Sequence, residues 1–176
     1  MRIRKSLYLL LALFLSAYFL SSAAFSQNPA AYHAEVYFSP GGCIESRIIK
    51  AIDNARVSID LAIYSFTSKE IKSSLELAHR RGVEIRIIAD SKQAEGKYSV
   101  IRPLYDAGFR VKIIHGKGSG IMHNKFALFD RNLLLTGSYN WTKNAESFNY
   151  ENAIFLSDPE IIKQYQSEFD DIWYAH

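Results

Sequence analysis

Val57-Ser58-Ile59-Asp60-Leu61-Ala62-Ile63-Tyr64, the stretch from Thr67 to Gly82, and then Val83-Glu84-Ile85-Arg86-Ile87 read as strand, helix and strand. In the first, Val57, Ile59, Leu61 and Ile63 alternate with Ser58, Asp60 and Tyr64, which is the period of two of a half-buried strand. Thr67-Ser68-Lys69-Glu70 has the spacing of a capping box, and Gly82 supplies the residue that ends a helix most cheaply. Val83, Ile85 and Ile87 then restore the strand period. The same alternation continues outward. Upstream, Ala34 to Phe38 reads as a strand, and after Pro40-Gly41-Gly42 the positions Ile44, Ile48, Ile52 and Ala55 recur at helical spacing. Downstream come a polar loop from Asp90 to Lys97, a short helix ending at Gly108, a strand from Phe109 to Ile114 and a glycine-rich loop, His115 to Gly120. Met122 to Phe129 reads as a strand, Asp130-Arg131-Asn132 as a tight turn and Leu133 to Gly137 as the return strand. A loop from Ser138 to Tyr150 leads to a last strand, Asn152 to Leu156, and Ser157-Asp158-Pro159-Glu160 opens a terminal helix. Such alternation predicts an α/β layered domain rather than a bundle or a sandwich.

The first 26 residues are of another kind. Arg2, Arg4 and Lys5 precede an apolar run of 14 residues, Leu7 to Leu20, and the small residues Ser21 to Ala24 follow. This is the three-part pattern of a secretory signal cleaved near Ser26, so an exported protein, periplasmic or secreted, is expected, with one domain at residues 27–176. A second reading stays open: Ser21 to Phe25 could lengthen the run into an uncleaved anchor and bring a membrane into play. Without the leader the chain loses three of its 21 basic residues and none of its 18 acidic ones, and becomes formally neutral. Charge is uneven along it: Arg80 to Lys125 holds ten Lys or Arg against four acids, whereas Asn144 to the end holds one Lys against seven acids. Such asymmetry supports a polyanionic partner only weakly. Cys43 is the single cysteine, so no intrachain disulfide can form.

Strand alternation places His123 and Lys125 on one face, about 6.6 Å apart. A phosphodiester resists attack because its anionic oxygens repel nucleophiles, so a site must neutralise charge and supply both a nucleophile and a leaving-group proton. A fixed cation answers the first need and a titratable imidazole the second. His33, His79, His115 and His176 stand in no comparable cluster. No zinc spacing and no carboxylate cluster is evident, so neither a metal nor another cofactor is expected.

His123-Asn124-Lys125 with Asp130 forms HxKxxxxD, and Gly137-Ser138-Tyr139-Asn140-Trp141-Thr142 forms GSxNxT, starting 14 residues after His123. With both motifs the chain resembles the phospholipase D superfamily, and Ala51-Ile52, Val57 to Ser65, Arg81-Gly82-Val83 and Asn149-Tyr150-Glu151-Asn152 resemble its small bacterial endonuclease branch. The resemblance implies a mixed β-sheet flanked by helices on both faces, with a single motif per chain. It implies that His123 forms a phosphohistidine or protonates the leaving oxygen, that Lys125, Ser138 and Asn140 bind the phosphate, and that Glu151 hydrogen-bonds His123. Asp130 is expected to be structural. Tyr139, Trp141, Phe148 and Tyr150 are read chiefly as core, with base stacking as the other use. The expected activity is a metal-independent, sequence-non-specific endonuclease on DNA or RNA, working as a homodimer. Its rivals are a phospholipase D or cardiolipin hydrolase and a non-catalytic DNA-binding module.

Overall fold

A computed structural model describes residues 32–41 and 43–176; the leader at residues 1–26 lies outside them. Seven strands form one sheet in the order β1-β7-β6-β5-β2-β3-β4. β2 (Ser58–Ile63), β3 (Glu84–Asp90) and β4 (Arg110–Ile114) run parallel. Parallel neighbours need a crossover, which α2 (Lys69–Arg80) supplies between β2 and β3, and α3 (Ser91–Ala94) with α4 (Ile101–Asp106) between β3 and β4. The other half is antiparallel: β5 (Lys125–Phe129), β6 (Leu133–Gly137), β7 (Glu151–Leu156) and the edge strand β1 (Ala34–Ser39). The sheet is therefore mixed, as the resemblance implied.

Helices cover both faces. α1 (Ile44–Asn54), α2 and α4 bury Ile48, Ile52, Leu75 and Leu104 against Ile59, Leu61 and Ile87 on one side. On the other face, among the described residues, α6 (Pro159–Ala175) sets Ile162, Phe169 and Trp173 against Ala62, Ile88, Phe126 and Leu128. With both faces covered, β2 is buried at every position from Ile59 to Ile63, not half-buried as its alternation suggests. Asp60 is the residue that misleads. It is 3% exposed because Arg86, its register partner on β3, donates to both of its oxygens at 2.7 Å.

Local chemistry corrects four element boundaries. Ser68, not Thr67, caps α2: its Oγ accepts from Ile71 N at 3.1 Å and donates to Glu45 Oε2 at 2.6 Å, tying α2 to α1. Gly82, with φ at +89°, ends that helix as its position predicts. Asp90 is no loop residue but the end of β3 and the cap of α3. The loop after Ser138 contains α5 (Lys143–Ser147), capped by Thr142, whose Oγ1 accepts from Ala145 N. Finally, β5 begins at Lys125 rather than Met122, so His123 sits in the extended segment leading into the strand.

Candidate active site

The site lies where β5, β6 and β7 and the connection after β2 meet. Asn132 N donates to Phe129 O at 3.0 Å across a two-residue turn, with φ of 52° at Asp130 and 55° at Arg131, which matches the twist of a tight hairpin and returns β6 beside β5. β6 ends at Gly137, where a Cβ would stand 2.2 Å from the Asn152 carbonyl oxygen, so only glycine lets β6 and β7 approach closely enough there. That approach brings Ser138 beside Glu151, the first residue of β7.

Lys125 opens β5 opposite Ile63 of β2. Its Nζ donates to the His123 carbonyl at 2.8 Å and lies 5.0 Å from the centroid of the Tyr64 ring. The exposed His123 ring meets Tyr64 edge-on, with centroids 4.5 Å apart. Burial pulls the Lys125 ammonium below the usual lysine value, and the Glu151 carboxylate partly offsets this. Upstream, Met122 is 5% exposed in the α6-side cluster, and its N–H donates to Asp90 Oδ2 at 3.2 Å. Asp90 thus anchors the backbone directly before His123.

The second motif is locked by polar contacts. Ser138 Oγ donates to Glu151 Oε2 at 2.5 Å and accepts from Asn152 N at 3.1 Å. Asn140 Oδ1 accepts from Ser65 N at 3.3 Å, so the NH2 end of its amide is the donor left for a ligand oxygen. Trp141 holds the loop against the sheet. Its N–H donates to Ser65 O, its carbonyl accepts from Thr67 N and Ser68 N, and its ring, 2% exposed, meets Phe66 edge-on.

Glu151 does not reach His123 within this chain. Its Oε1 accepts from Asn149 Nδ2 at 3.0 Å and its Oε2 from Ser138, while the His123 ring rests on Tyr64. No hydrogen bond joins Glu151 to His123 in this chain; the Glu151 carboxylate is held by Ser138 and Asn149 instead. Tyr64, Asn149 and Asp90 escaped the sequence reading; for Tyr64 the available signal was its place just after the residue of β2 that pairs with Lys125. Of the aromatic residues near the motif, Tyr139 and Trp141 are buried at 3% and 2% exposure, whereas Phe148 and Tyr150 are 71% and 93% exposed. Tyr139 donates to Glu146 Oε2 at 2.8 Å, and burial followed by that bond raises its hydroxyl far above the usual tyrosine value. His115 contacts the carbonyl of its neighbour Gly116 through Nδ1.

Asp130 stands at the opposite end of β5 from His123. Its carboxylate accepts from the backbone N–H groups of Arg56, Val57 and Ser58 at 2.8 to 3.1 Å. Burial alone would raise its carboxyl; the three backbone donors outweigh that and hold it below the usual aspartate value. Asp130→Ala is expected to cost about 1–3 kcal/mol of stability by stranding those donors, read as a lower urea midpoint, with kcat of the folded fraction within about twofold of wild type. A large fall in kcat at unchanged stability would contradict this structural role.

Residues 48–173 match the family model described as cardiolipin synthase, PLD-like domain. The chain belongs to this phospholipase D-like family. Among curated relatives of this family member, the mitochondrial cardiolipin hydrolase of Homo sapiens is 34% identical over 92% of the chain and 66% of its own length. That of Xenopus laevis is 39% identical over 73% and 60%. The chain therefore spans about two thirds or less of these relatives. Among solved structures, the phospholipase D family member Nuc from Salmonella typhimurium superposes with a TM-score of 0.74 at 31% identity, covering 81% of this chain and 95% of Nuc. NucT from Helicobacter pylori gives 0.75 at 29%, covering 81% and 96%. The phospholipase D-like fold read from the two motifs is thus established, and with it membership of a superfamily of phosphodiesterases.

One expectation is overturned. Curated relatives from human, frog and the alga Chlamydomonas reinhardtii are mitochondrial proteins, so the periplasmic or secreted location inferred from the leader does not stand. A basic, acid-free segment with a short apolar run is a composition that more than one kind of targeting segment shares, and it does not select a compartment.

Proposed function

We propose that the protein is a metal-independent, sequence-non-specific endonuclease of DNA or RNA, acting as a homodimer through a phosphohistidine. The observation that carries this is the gathering of Lys125, Ser138, Asn140 and Glu151 at one end of the central strands beside a single exposed His123. Lys125 and the Asn140 amide neutralise the non-bridging oxygens. A ring nitrogen of His123 attacks phosphorus and the bond to the leaving oxygen breaks, while the His123 of a second copy donates the proton that oxygen needs. Water then attacks phosphorus, gives its proton to that second imidazole and releases the first. Displacement in line puts attacking and leaving atoms on opposite sides of phosphorus, so one imidazole cannot serve both, and a two-fold axis supplies the other. Among the described residues no three His, Cys, Asp or Glu side chains are grouped to hold a metal ion, which supports charge neutralisation by the lysine and the amide. Nothing resembling a base-reading element accompanies the site, which supports cleavage without sequence preference.

The names of the curated relatives favour a second reading, hydrolysis of cardiolipin by the same residues. Purified protein assayed on plasmid DNA, RNA and cardiolipin vesicles, each with and without EDTA, decides between them. The proposal expects nucleic acid to be cut equally well in EDTA, without a discrete set of cleavage positions. Cleavage of cardiolipin alone, or activity lost in EDTA and restored by one divalent ion, would contradict it.

The lowered Lys125 value sets a pH dependence. The protonated lysine is the form that binds phosphate, so affinity for nucleic acid, measured on His123→Ala, falls as pH rises through a value below the ordinary lysine range of about 10.4. Because the Glu151 charge favours the ammonium, adding Glu151→Gln should shift that fall further down. A binding profile that falls only at or above the ordinary lysine value would contradict this.

A further inference from the structure

A groove of about 1100 Å³ runs from Tyr64 and Asn140, at the edge of the site, out past the start of α2, the segment after α3 and the start of α5. It exceeds the roughly 300–1,000 Å³ typical of small-molecule pockets. Among the described residues four lysines line it, Lys69, Lys72, Lys97 and Lys143, and no acidic residue does. Lys72 is paired with Glu76 at 2.5 Å; the other three enter no ion pair among the described residues. The concentration of charge is not compositional, since residues 27–176 are formally neutral. Nor is it the basic stretch from Arg80 to Lys125, of whose ten Lys and Arg only Lys97 lines the groove. Tyr98, also in the lining, is 74% exposed, with Lys97 Nζ 5.5 Å from its ring centroid. A large aromatic face left in water beside unpaired cations is the combination that binds an unpaired base and its phosphates.

We infer that this groove holds the strand flanking the scissile phosphate as unpaired nucleic acid, with Tyr98 stacked on a base and Lys69, Lys97 and Lys143 on phosphates. The inference rests on the nuclease reading and adds to it a strand-binding subsite outside the catalytic residues. A duplex offers no free base face to Tyr98. Lipid chains would require an apolar lining, and among the described residues Val100 and Pro103 are its only aliphatic members.

The test compares a long labelled oligothymidylate with bis(p-nitrophenyl) phosphate, a phosphodiester too short to enter the groove. Tyr98→Ala should raise KM for the oligonucleotide about tenfold, and Tyr98→Phe should restore it. Lys97→Glu combined with Lys143→Glu should raise KM by about tenfold or more and flatten its dependence on salt. Both variants should turn over bis(p-nitrophenyl) phosphate at the wild-type rate and melt like wild type. Unchanged KM on the oligonucleotide, an equal loss on the short ester, or an equal loss on cardiolipin vesicles would overturn the assignment. A wild-type protein that cleaves bis(p-nitrophenyl) phosphate but no oligonucleotide would remove the nuclease reading itself, and this subsite with it.

Discussion

Replacing His123 with alanine is expected to leave a folded dimer that binds nucleic acid and cuts it at least about 10³-fold more slowly. In the proposed dimer the substitution removes the nucleophile from one copy and the proton donor from the other, so a single change deletes both functions of the first step. Binding should survive because, in the proposed site, Lys125 and Asn140 are the groups that hold phosphate, independently of the imidazole. Fold should survive because His123 is exposed and precedes β5, and its neighbour Met122 stays anchored by Asp90. Single-turnover kinetics on a labelled oligonucleotide, with affinity measured separately, read the two effects apart. A fall in affinity that accounts for the whole loss would contradict the assignment of His123 to chemistry.

The largest expected loss of stability lies elsewhere. Asp60 and Arg86 pair across β2 and β3 with side chains 4% and 8% exposed. Asp60 Oδ2 also accepts from Gln166 Nε2 at 2.8 Å, while the Arg86 guanidinium donates to Asp170 at 2.8 Å and lies 4.8 Å from the Phe169 ring centroid. The pair joins the sheet to α6. Asp60→Ala leaves a buried guanidinium with only the more exposed Asp170, and is expected to cost about 3–5 kcal/mol. Replacing both partners by apolar residues, Asp60→Leu with Arg86→Met, should recover most of that, since the stranded charge rather than the lost attraction causes the damage. Urea unfolding of the single and double variants checks this; a cost below about 1 kcal/mol for Asp60→Ala would contradict it.

Asp60 also shows where the sequence stops being legible. Alternation of Val57, Ile59, Leu61 and Ile63 marks a strand correctly, but a carboxylate in that pattern reads as a solvent position until its partner, 26 residues on, is known. The longer helices α1, α2 and α6 were legible because apolar positions recur at their period and Gly82 or Asp158-Pro159 marks an end, whereas α3 and α5, of four and five residues, are too short to show a period. The hairpin after β5 was legible from its turn residues. Tyr64 and Asp90 were not, since each acts on the site through a contact with a residue distant in sequence, and no local pattern records it. The two motifs named His123, Lys125, Ser138 and Asn140, the resemblance added Glu151, and the sheet order brings β5, β6 and β7 together. Spacing could not show that Ser138 and Asn149 occupy Glu151, a matter of side-chain geometry.

The central claim is that one phosphate is cut by two copies of His123, and mixed dimers test it most directly. Wild-type and His123→Ala chains carrying different affinity tags are combined, and dimers with one of each are purified and assayed on an oligonucleotide. A shared site keeps only one of its two imidazoles in such a dimer, so its rate should lie near that of the His123→Ala homodimer. Mixed dimers retaining about half the wild-type rate would mean that each chain completes the reaction alone, and would contradict the account.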